Sequence, residues 1–162
     1  MNTTRKLLVM LATTFAAGLL FTNIYTSIVD AQNWGYNIPA SIQATRDYFH
    51  VANPGTFFRL FSPLAQIITL AALVFCWTAD KRVRYFLLAA LILAVSVDGF
   101  TFAYFYPRND IMFVNPIEGN TDAIRTAWSQ WTFMNWPRSA IIVIVLILDF
   151  AALNRLISVS NK

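Results

Sequence analysis

The chain is 162 residues long, and 57% of its residues are hydrophobic while only 12% carry a charge. Because soluble domains carry about 25% charged residues, this composition excludes an ordinary soluble protein and is typical of a membrane protein. The net charge is +4, but the basic residues are scattered or lie beside apolar runs, which argues against a nucleic-acid partner. The length predicts a single transmembrane domain, residues 1–162, whose surroundings are the lipid bilayer.

Four apolar segments are long enough to cross the hydrocarbon core, which needs about 20 residues of helix. In chain order, the predicted spans are about 7–29, 60–77, 83–106 and 139–157. The first resembles a signal peptide, since Arg5 and Lys6 precede it, but its apolar run is longer than a signal sequence requires. We therefore favour a retained span and predict an all-α fold, an integral membrane four-helix bundle.

The two longer connections have the residues of structured loops. In the first, residues 39–51 are compatible with a short helix, and Asn53-Pro54 then forms a helix start, because Asn is a good N-cap and Pro suits the first helical position. Pro63 predicts a kink in the second span. In the second connection, which begins at Pro107, an N-cap signal at 120–122 predicts a helix over 123–136 that leads into the fourth span.

The distribution of Lys and Arg predicts the orientation. Seven of the 12 basic residues lie on the side of the two termini and of the tight turn between spans two and three. They are Arg5, Lys6, Lys81, Arg82, Arg84, Arg155 and Lys162. By the positive-inside rule, we predict a cell-membrane protein with both termini cytoplasmic and both structured loops extracytoplasmic.

Polar side chains are concentrated in the predicted outer halves of the spans. A carboxylate inside a span indicates a functional site by default, and two occur, Asp98 and Asp149. Asp149 has two structural explanations, pairing with a neighbouring helix or an early water-accessible end. Other polar groups lie at a depth similar to that of Asp98: Asn23, Arg59, Ser62, Gln66, Asn135 and Arg138.

This convergence has two interpretations. One is a polar pocket with aromatic walls that opens outward and binds a small molecule. The other is purely structural, with interhelical hydrogen bonds and a salt bridge from Arg59 or Arg138 to Asp98. Composition alone leaves both open.

The chain has no recognisable metal site. Cys76 is the only cysteine and His50 the only histidine, so no zinc or iron ligand spacing exists. No phosphate-binding loop or nucleophile elbow occurs either. We predict neither a metal nor another cofactor.

Several short motifs resemble the anthrone oxygenase-like family, a domain-of-unknown-function family of small four-span membrane proteins. The resemblance rests on Asn53-Pro54-Gly55 before span two, Pro107-Arg108-Asn109 after span three, and residues 131–138 before span four. In the last segment, Trp131, Asn135 and Arg138 match the family pattern.

The resemblance implies an oxidoreductase that converts anthrones to anthraquinones with molecular oxygen and without a metal or flavin. It assigns Asp98 as the base and Arg138, Asn135 and Asn109 as groups that hold an oxyanion. The predicted catalytic residues are thus Asp98, Arg138 and Asn135. The predicted ligand-binding residues are Asn109, Trp131, Tyr104, Asn23, Gln66 and Arg59.

A non-catalytic role is the alternative. Residues 83–106 include the small residues Ala89, Ala90, Ala94, Ser96 and Gly99, which favour close helix packing, as in a scaffold, a partner subunit or a homo-oligomer. Transport is a weaker hypothesis, because the chain is short and lacks broken helices in repeated positions. Sequence alone leaves open whether the protein is an enzyme.

Overall fold

The computed structural model describes residues 3–160, and these form five helices and no strand. The helices are α1 (Thr3–Gly35), α2 (Ala40–Tyr48), α3 (Pro54–Phe75), α4 (Lys81–Phe113) and α5 (Thr121–Ser160). Four of them, α1, α3, α4 and α5, are long and apolar enough to cross a membrane. The predicted all-α bundle is confirmed. Lys162, which was used in the charge argument, lies outside the described residues.

The four long helices run alternately up and down. Each packs mainly on its two neighbours, in the order α1, α3, α4, α5 and back to α1. We call the end that holds residues 76–80 the turn end, since α3 and α4 are joined there by a tight connection. The opposite end, with residues 36–53 and 114–120, is the loop end.

Local sequence explains where α3 and α4 begin. The Asn53 side chain accepts a hydrogen bond from the Thr56 amide at 3.1 Å, and the Thr56 hydroxyl accepts one from the Asn53 amide at 3.3 Å. This reciprocal cap satisfies two amides that the helix cannot, and it confirms the predicted start at Pro54. Asp80 caps α4 with a single bond, its side chain accepting from the Arg82 amide at 2.8 Å.

Three helix ends differ from the predicted spans. The helix α1 continues to Gly35, and α4 continues past Pro107 to Phe113, so the expected loop at 107–113 is helical. A π-helical turn over Thr101–Phe105 precedes Pro107, and the wide turn accommodates a residue that has no amide proton to donate. The helix α5 is continuous from Thr121 through Pro137.

Apolar layers close the turn end and pack the loop end. At the turn end, a fully buried layer joins all four long helices through Val9, Ala72, Cys76, Val83, Leu87 and Ala152. At the loop end, a second cluster contains Trp34, Phe105, Met112, Ile124 and Trp131. Gly35 contacts the Trp128 indole so closely that an added Cβ would overlap the ring. The polar groups lie between these two layers.

Candidate functional site

A cavity of about 480 Å³ lies between α1, α3, α4 and α5, and it reaches from the loop end into the middle of the bundle. This volume is within the range of small-molecule sites. Five of the predicted site residues line it: Arg59, Asp98, Asn109, Trp131 and Arg138. Aromatic side chains complete the walls near the loop end, namely Trp34, Phe58, Phe102, Tyr106 and Phe113.

Asp98 is held from α3. Its two carboxylate oxygens accept from the Ser62 hydroxyl at 2.8 and 2.9 Å, and one also accepts from the Gln66 side-chain amide at 2.7 Å. Ser62 and Gln66 are one helical turn apart, so both reach the same point on α4. The carboxylate is half-buried and faces the cavity with its orientation fixed.

Arg138 lies in the wall formed by α5 and is only 7% exposed. Its guanidinium donates to the Asn23 side-chain oxygen of α1 and to the Thr101 hydroxyl of α4, the latter at 3.4 Å. The guanidinium carbon lies 4.3 Å from the centroid of the Phe105 ring, a cation–π contact that compensates in part for its lost hydration. The cation is therefore held by neutral groups.

A second layer of amides and hydroxyls fixes those groups. The fully buried Asn135 donates to the Ser27 hydroxyl and, at 3.3 Å, to the Asn23 carbonyl. The Asn23 amide donates to the Ser139 hydroxyl at 2.7 Å. Neither Asn23 nor Asn135 lines the cavity, so both act from behind Arg138.

Two π-helical turns lie beside this layer, Thr26–Asp30 in α1 and Thr101–Phe105 in α4. Such turns are rare and often occur at functional sites. They contribute Thr26 and Thr101 to the cavity wall.

Asp98 and Arg138 line the same cavity, yet they do not form an ion pair. In residues 3–160, the only salt bridge within 4.0 Å joins Arg155 to Asp80 at the turn end. The salt bridge from Arg59 or Arg138 to Asp98, which the structural interpretation allowed, is therefore absent from the described part of the chain. The carboxylate and the guanidinium therefore line the cavity from different walls without a direct contact between them.

The other predicted residues fall into different places. Gln66 reaches the cavity only through Asp98. Arg59 is exposed near the loop end and donates to the Thr56 hydroxyl at 3.2 Å. Tyr104 does not line the cavity, and the Arg108 guanidinium lies over its ring at 3.4 Å from the centroid. Tyr104, which was predicted to bind a ligand, thus lies outside the cavity wall.

Sequence reasoning missed the depth of the cavity. Below Asp98 it continues past small side chains on three helices to Asp149, well inside the bundle. The small lining residues are Ala12, Ala16, Ala65 and Ala94. Alanines that fall at one depth on three spans are the signal that could have indicated this space. Neither structural explanation offered for Asp149 fits, since the side chain is fully buried and has no hydrogen-bond partner.

No three His, Cys, Asp or Glu side chains between residues 3 and 160 lie close enough together to bind a metal ion. His50 lines the mouth of the cavity, where its ring meets the Asp47 carbonyl at 2.8 Å.

Comparison with known proteins gives one result. The family model described as anthrone oxygenase matches residues 56–148, which is more than half of the chain. The chain belongs to the anthrone oxygenase family. The resemblance seen in the sequence is thereby confirmed. No curated protein and no solved structure matches the chain.

The part shared with the anthrone oxygenase family comprises α3, α4 and most of α5. It includes Asp98, Asn109, Trp131, Asn135 and Arg138. The helix α1, which supplies Asn23 and Ser27, lies outside the match, as does Asp149. The cavity of this anthrone oxygenase family member is thus built from family elements on three sides and closed by α1 on the fourth.

Proposed function

We propose that the protein binds a flat, weakly acidic aromatic ketone in the cavity and oxidises it with molecular oxygen. The observation that carries this proposal is the placement of Asp98 and Arg138 in one aromatic-walled cavity without an ion pair between them. A base and a cation that are not in direct contact can act on two atoms of one ligand. The family described as anthrone oxygenase makes an anthrone the first candidate.

The chemistry uses a proton, an electron pair and O₂. Asp98 removes a C–H proton from the carbon opposite the keto group, and Arg138 stabilises the negative charge that develops on the keto oxygen. The carbanion forms a C–O bond to O₂, and the resulting peroxide takes a proton from Asp98. Loss of the second C–H proton and cleavage of the O–O bond release water and leave a second carbonyl group. The substrate is oxidised and O₂ is reduced.

The side chains support this division of roles. Ser62 and Gln66 fix the base by hydrogen bonds, and Asn23 and Thr101 fix the cation. The aromatic rings of Trp131 and Phe58 form part of the cavity wall. Preorganised groups of this kind do not have to reorient when charge develops.

The test measures anthrone consumption and O₂ uptake by the purified protein in detergent, with spontaneous oxidation measured without protein. With isotopically labelled O₂, one labelled oxygen should appear in the quinone and one in water. Removing one donor to an oxyanion costs about 100-fold or more in rate, so we expect that loss for Arg138→Ala. Asp98→Asn should lose about 100-fold or more as well, because the base is gone.

Arg125→Ala is the matched control, since Arg125 is exposed on the same helix and should keep full activity. All variants are first checked for a single folded species by size-exclusion chromatography. A wild-type rate equal to the rate without protein would contradict the proposed activity. Equal rates for the wild type and both site variants would contradict the roles of Asp98 and Arg138.

The alternative of a non-catalytic scaffold has no specific contact in its favour within residues 3–160. Ala90 is fully buried and Ala94 lines the cavity, so these two residues serve the interior of the bundle, whereas Ser96 and Gly99 are exposed.

A further inference from the structure

The deep end of the cavity has two polar side chains, Asp149 and Thr69. Asp149 on α5 lies at its floor, and its side chain is fully buried, with neither carboxyl oxygen in contact with a hydrogen-bond donor. Its neighbours along the lining are small or apolar, among them Ala12, Ala16 and Val145. A polar group buried without a partner is costly, and more so inside a bilayer. The fold itself therefore gains nothing from this carboxyl group.

Thr69 on α3 adds a second acceptor to the deep lining. Its hydroxyl donates to the Ala65 carbonyl at 2.9 Å, so the proton is committed and the oxygen lone pairs remain. Thr69 is also buried and also lines the cavity. The deep end thus offers acceptors that require a donor.

The floor is closed toward the turn end. Below Asp149, the apolar layer of Val9, Leu73, Cys76, Leu87 and Ala152 fills the bundle. A donor therefore does not reach Asp149 from the turn end, whereas the cavity offers a path from the side of Asp98 and Arg138.

We propose that the deep end, Asp149 with Thr69, binds the terminal hydroxyl group of an elongated apolar ligand. A hydroxyl donates one hydrogen bond and is far cheaper to bring through an apolar cavity than an ammonium group, and no charged side chain forms an ion pair with Asp149. Arg138 and Asp149 are 11 residues apart on α5, which corresponds to about 16 Å of helix. A ligand that also reaches Arg138 therefore extends beyond a three-ring system, and its hydroxyl lies at the end remote from Arg138.

This inference rests on the proposed function only in that both place a ligand in the same cavity. The deep end can be tested with a probe that has no ring system. Decanol carries a terminal hydroxyl group, and decyl methyl ether has a similar length and lacks only the donor. The partitioning of each probe into protein-free micelles is measured and corrected for, so the remaining difference in binding reports the hydrogen bond.

The experiment measures dissociation constants of both probes for the wild type, Asp149→Leu, Asp149→Asn and Thr69→Val. A net hydrogen bond contributes about 0.5–1.5 kcal/mol, so the wild type should bind decanol about twofold to tenfold more tightly than the ether. Asp149→Leu should bind both equally, and Thr69→Val should reduce the preference. Asp149→Asn should keep part of it, because an amide oxygen still accepts. Asp122→Leu, an exposed acid at the start of α5, is the control and should keep the full preference.

The melting temperature without a probe separates a ligand site from a structural group. If Asp149 awaits a ligand, Asp149→Leu removes an unsatisfied polar group and should melt at a higher temperature than the wild type. A lower melting temperature would mean that the carboxyl group stabilises the fold, and it would overturn the proposal. So would equal binding of decanol and its ether by the wild type, or tighter binding of decylamine than of decanol.

The two proposals fail in different ways. Without anthrone turnover but with an Asp149-dependent preference for decanol, the proposed oxygenase is wrong and the deep hydroxyl site stands. With turnover that Arg138→Ala abolishes, but no preference for decanol, only the deep site is wrong.

Discussion

The position of the Arg138 guanidinium depends on two buried asparagines that the cavity does not expose. Asn23 accepts from Arg138, and Asn135 holds the backbone of Asn23 and the Ser27 hydroxyl. Both amides are fully buried and come from α1 and α5, the two helices that flank one side of the cavity. They are positioning residues for the cation, since a ligand in the cavity meets Arg138 and not the asparagines.

Asn135→Ala should destabilise the bundle by about 1–2 kcal/mol, because interhelical hydrogen bonds of a transmembrane side chain contribute on this scale. The loss can be measured as a shift in the unfolding midpoint in mixed detergent micelles. Asn154→Ala, an exposed amide on the same helix, serves as the control and should leave the midpoint unchanged. A variant as stable as the wild type would show that Asn135 does not hold α1 against α5.

Sequence reasoning identified individual polar residues better than their roles. The polarity of Asp98, Asn135 and Arg138 inside apolar spans singled them out, and all three lie at or directly behind the cavity. Tyr104 could not be placed from sequence, because the π-helical turn at Thr101–Phe105 changes which face of α4 the ring occupies. The depth of Asp149 depends on how far each helix is shifted along the bundle axis relative to its neighbours. This shift cannot be derived from a single sequence.

The connection between α3 and α4 is tied to the end of α5 by Asp80. The Asp80 carboxylate caps α4 and pairs with Arg155 at 2.6 Å. The hydrogen bond from Arg155 lowers the pKa of Asp80, and the Arg82 amide lowers it further. One side chain therefore joins a helix start, a tight turn and the last helix of the bundle.

The lowered pKa predicts a pH dependence. A carboxyl whose pKa is lower in the folded state adds stability above its unfolded pKa of about 3.9, and this stability is lost as the pH falls through the folded-state pKa. Asp80→Asn should thus melt at a lower temperature than the wild type near pH 7, and the difference should shrink below about pH 4. Asp110 is exposed and forms no ion pair within the described residues, so Asp110→Asn should show no such difference. A deficit for Asp80→Asn that is constant with pH would contradict the role of the carboxylate charge.

The start of α3 was predictable from sequence, and the end of α4 was not. Asn53-Pro54 carries its own cap, so the start of α3 follows from local chemistry. Pro107 normally ends a helix, and the predicted third span stopped before it. Phe105, in the wide turn that precedes Pro107, packs against Trp131 with ring centroids 5.5 Å apart. This tertiary contact stabilises the turn and cannot be recognised from a local sequence pattern.

At the scale of the whole molecule, apolar length and charge spacing were sufficient for the fold class. Four apolar helices follow from hydropathy, and their alternating direction follows from the tight connection 76–80 and the two longer ones. The cavity was not predictable to its full depth, because its floor is defined by alanines from α1, α3 and α4 that meet only after the helices pack.

The predicted orientation can be tested by thiol labelling. In a Cys76→Ala background, Val51→Cys at the loop end should react with a membrane-impermeant maleimide added outside intact cells or spheroplasts. Lys81→Cys at the turn end should react only after the membrane is permeabilised, since we predict that this end is cytoplasmic. Both positions are exposed, so access and not burial decides the result. The reverse labelling pattern would show that the termini are outside.

The closed turn end also bears on kinetics. The layer of Val9, Leu73, Cys76 and Leu87 seals the cavity at the turn end, so neither substrate nor product passes through that end. Substrate and product share one cavity and exclude each other, so inhibition by product should be competitive with the aromatic substrate. A molecule processed in this way is not carried through the bundle to the turn end, so turnover changes its chemistry without transporting it.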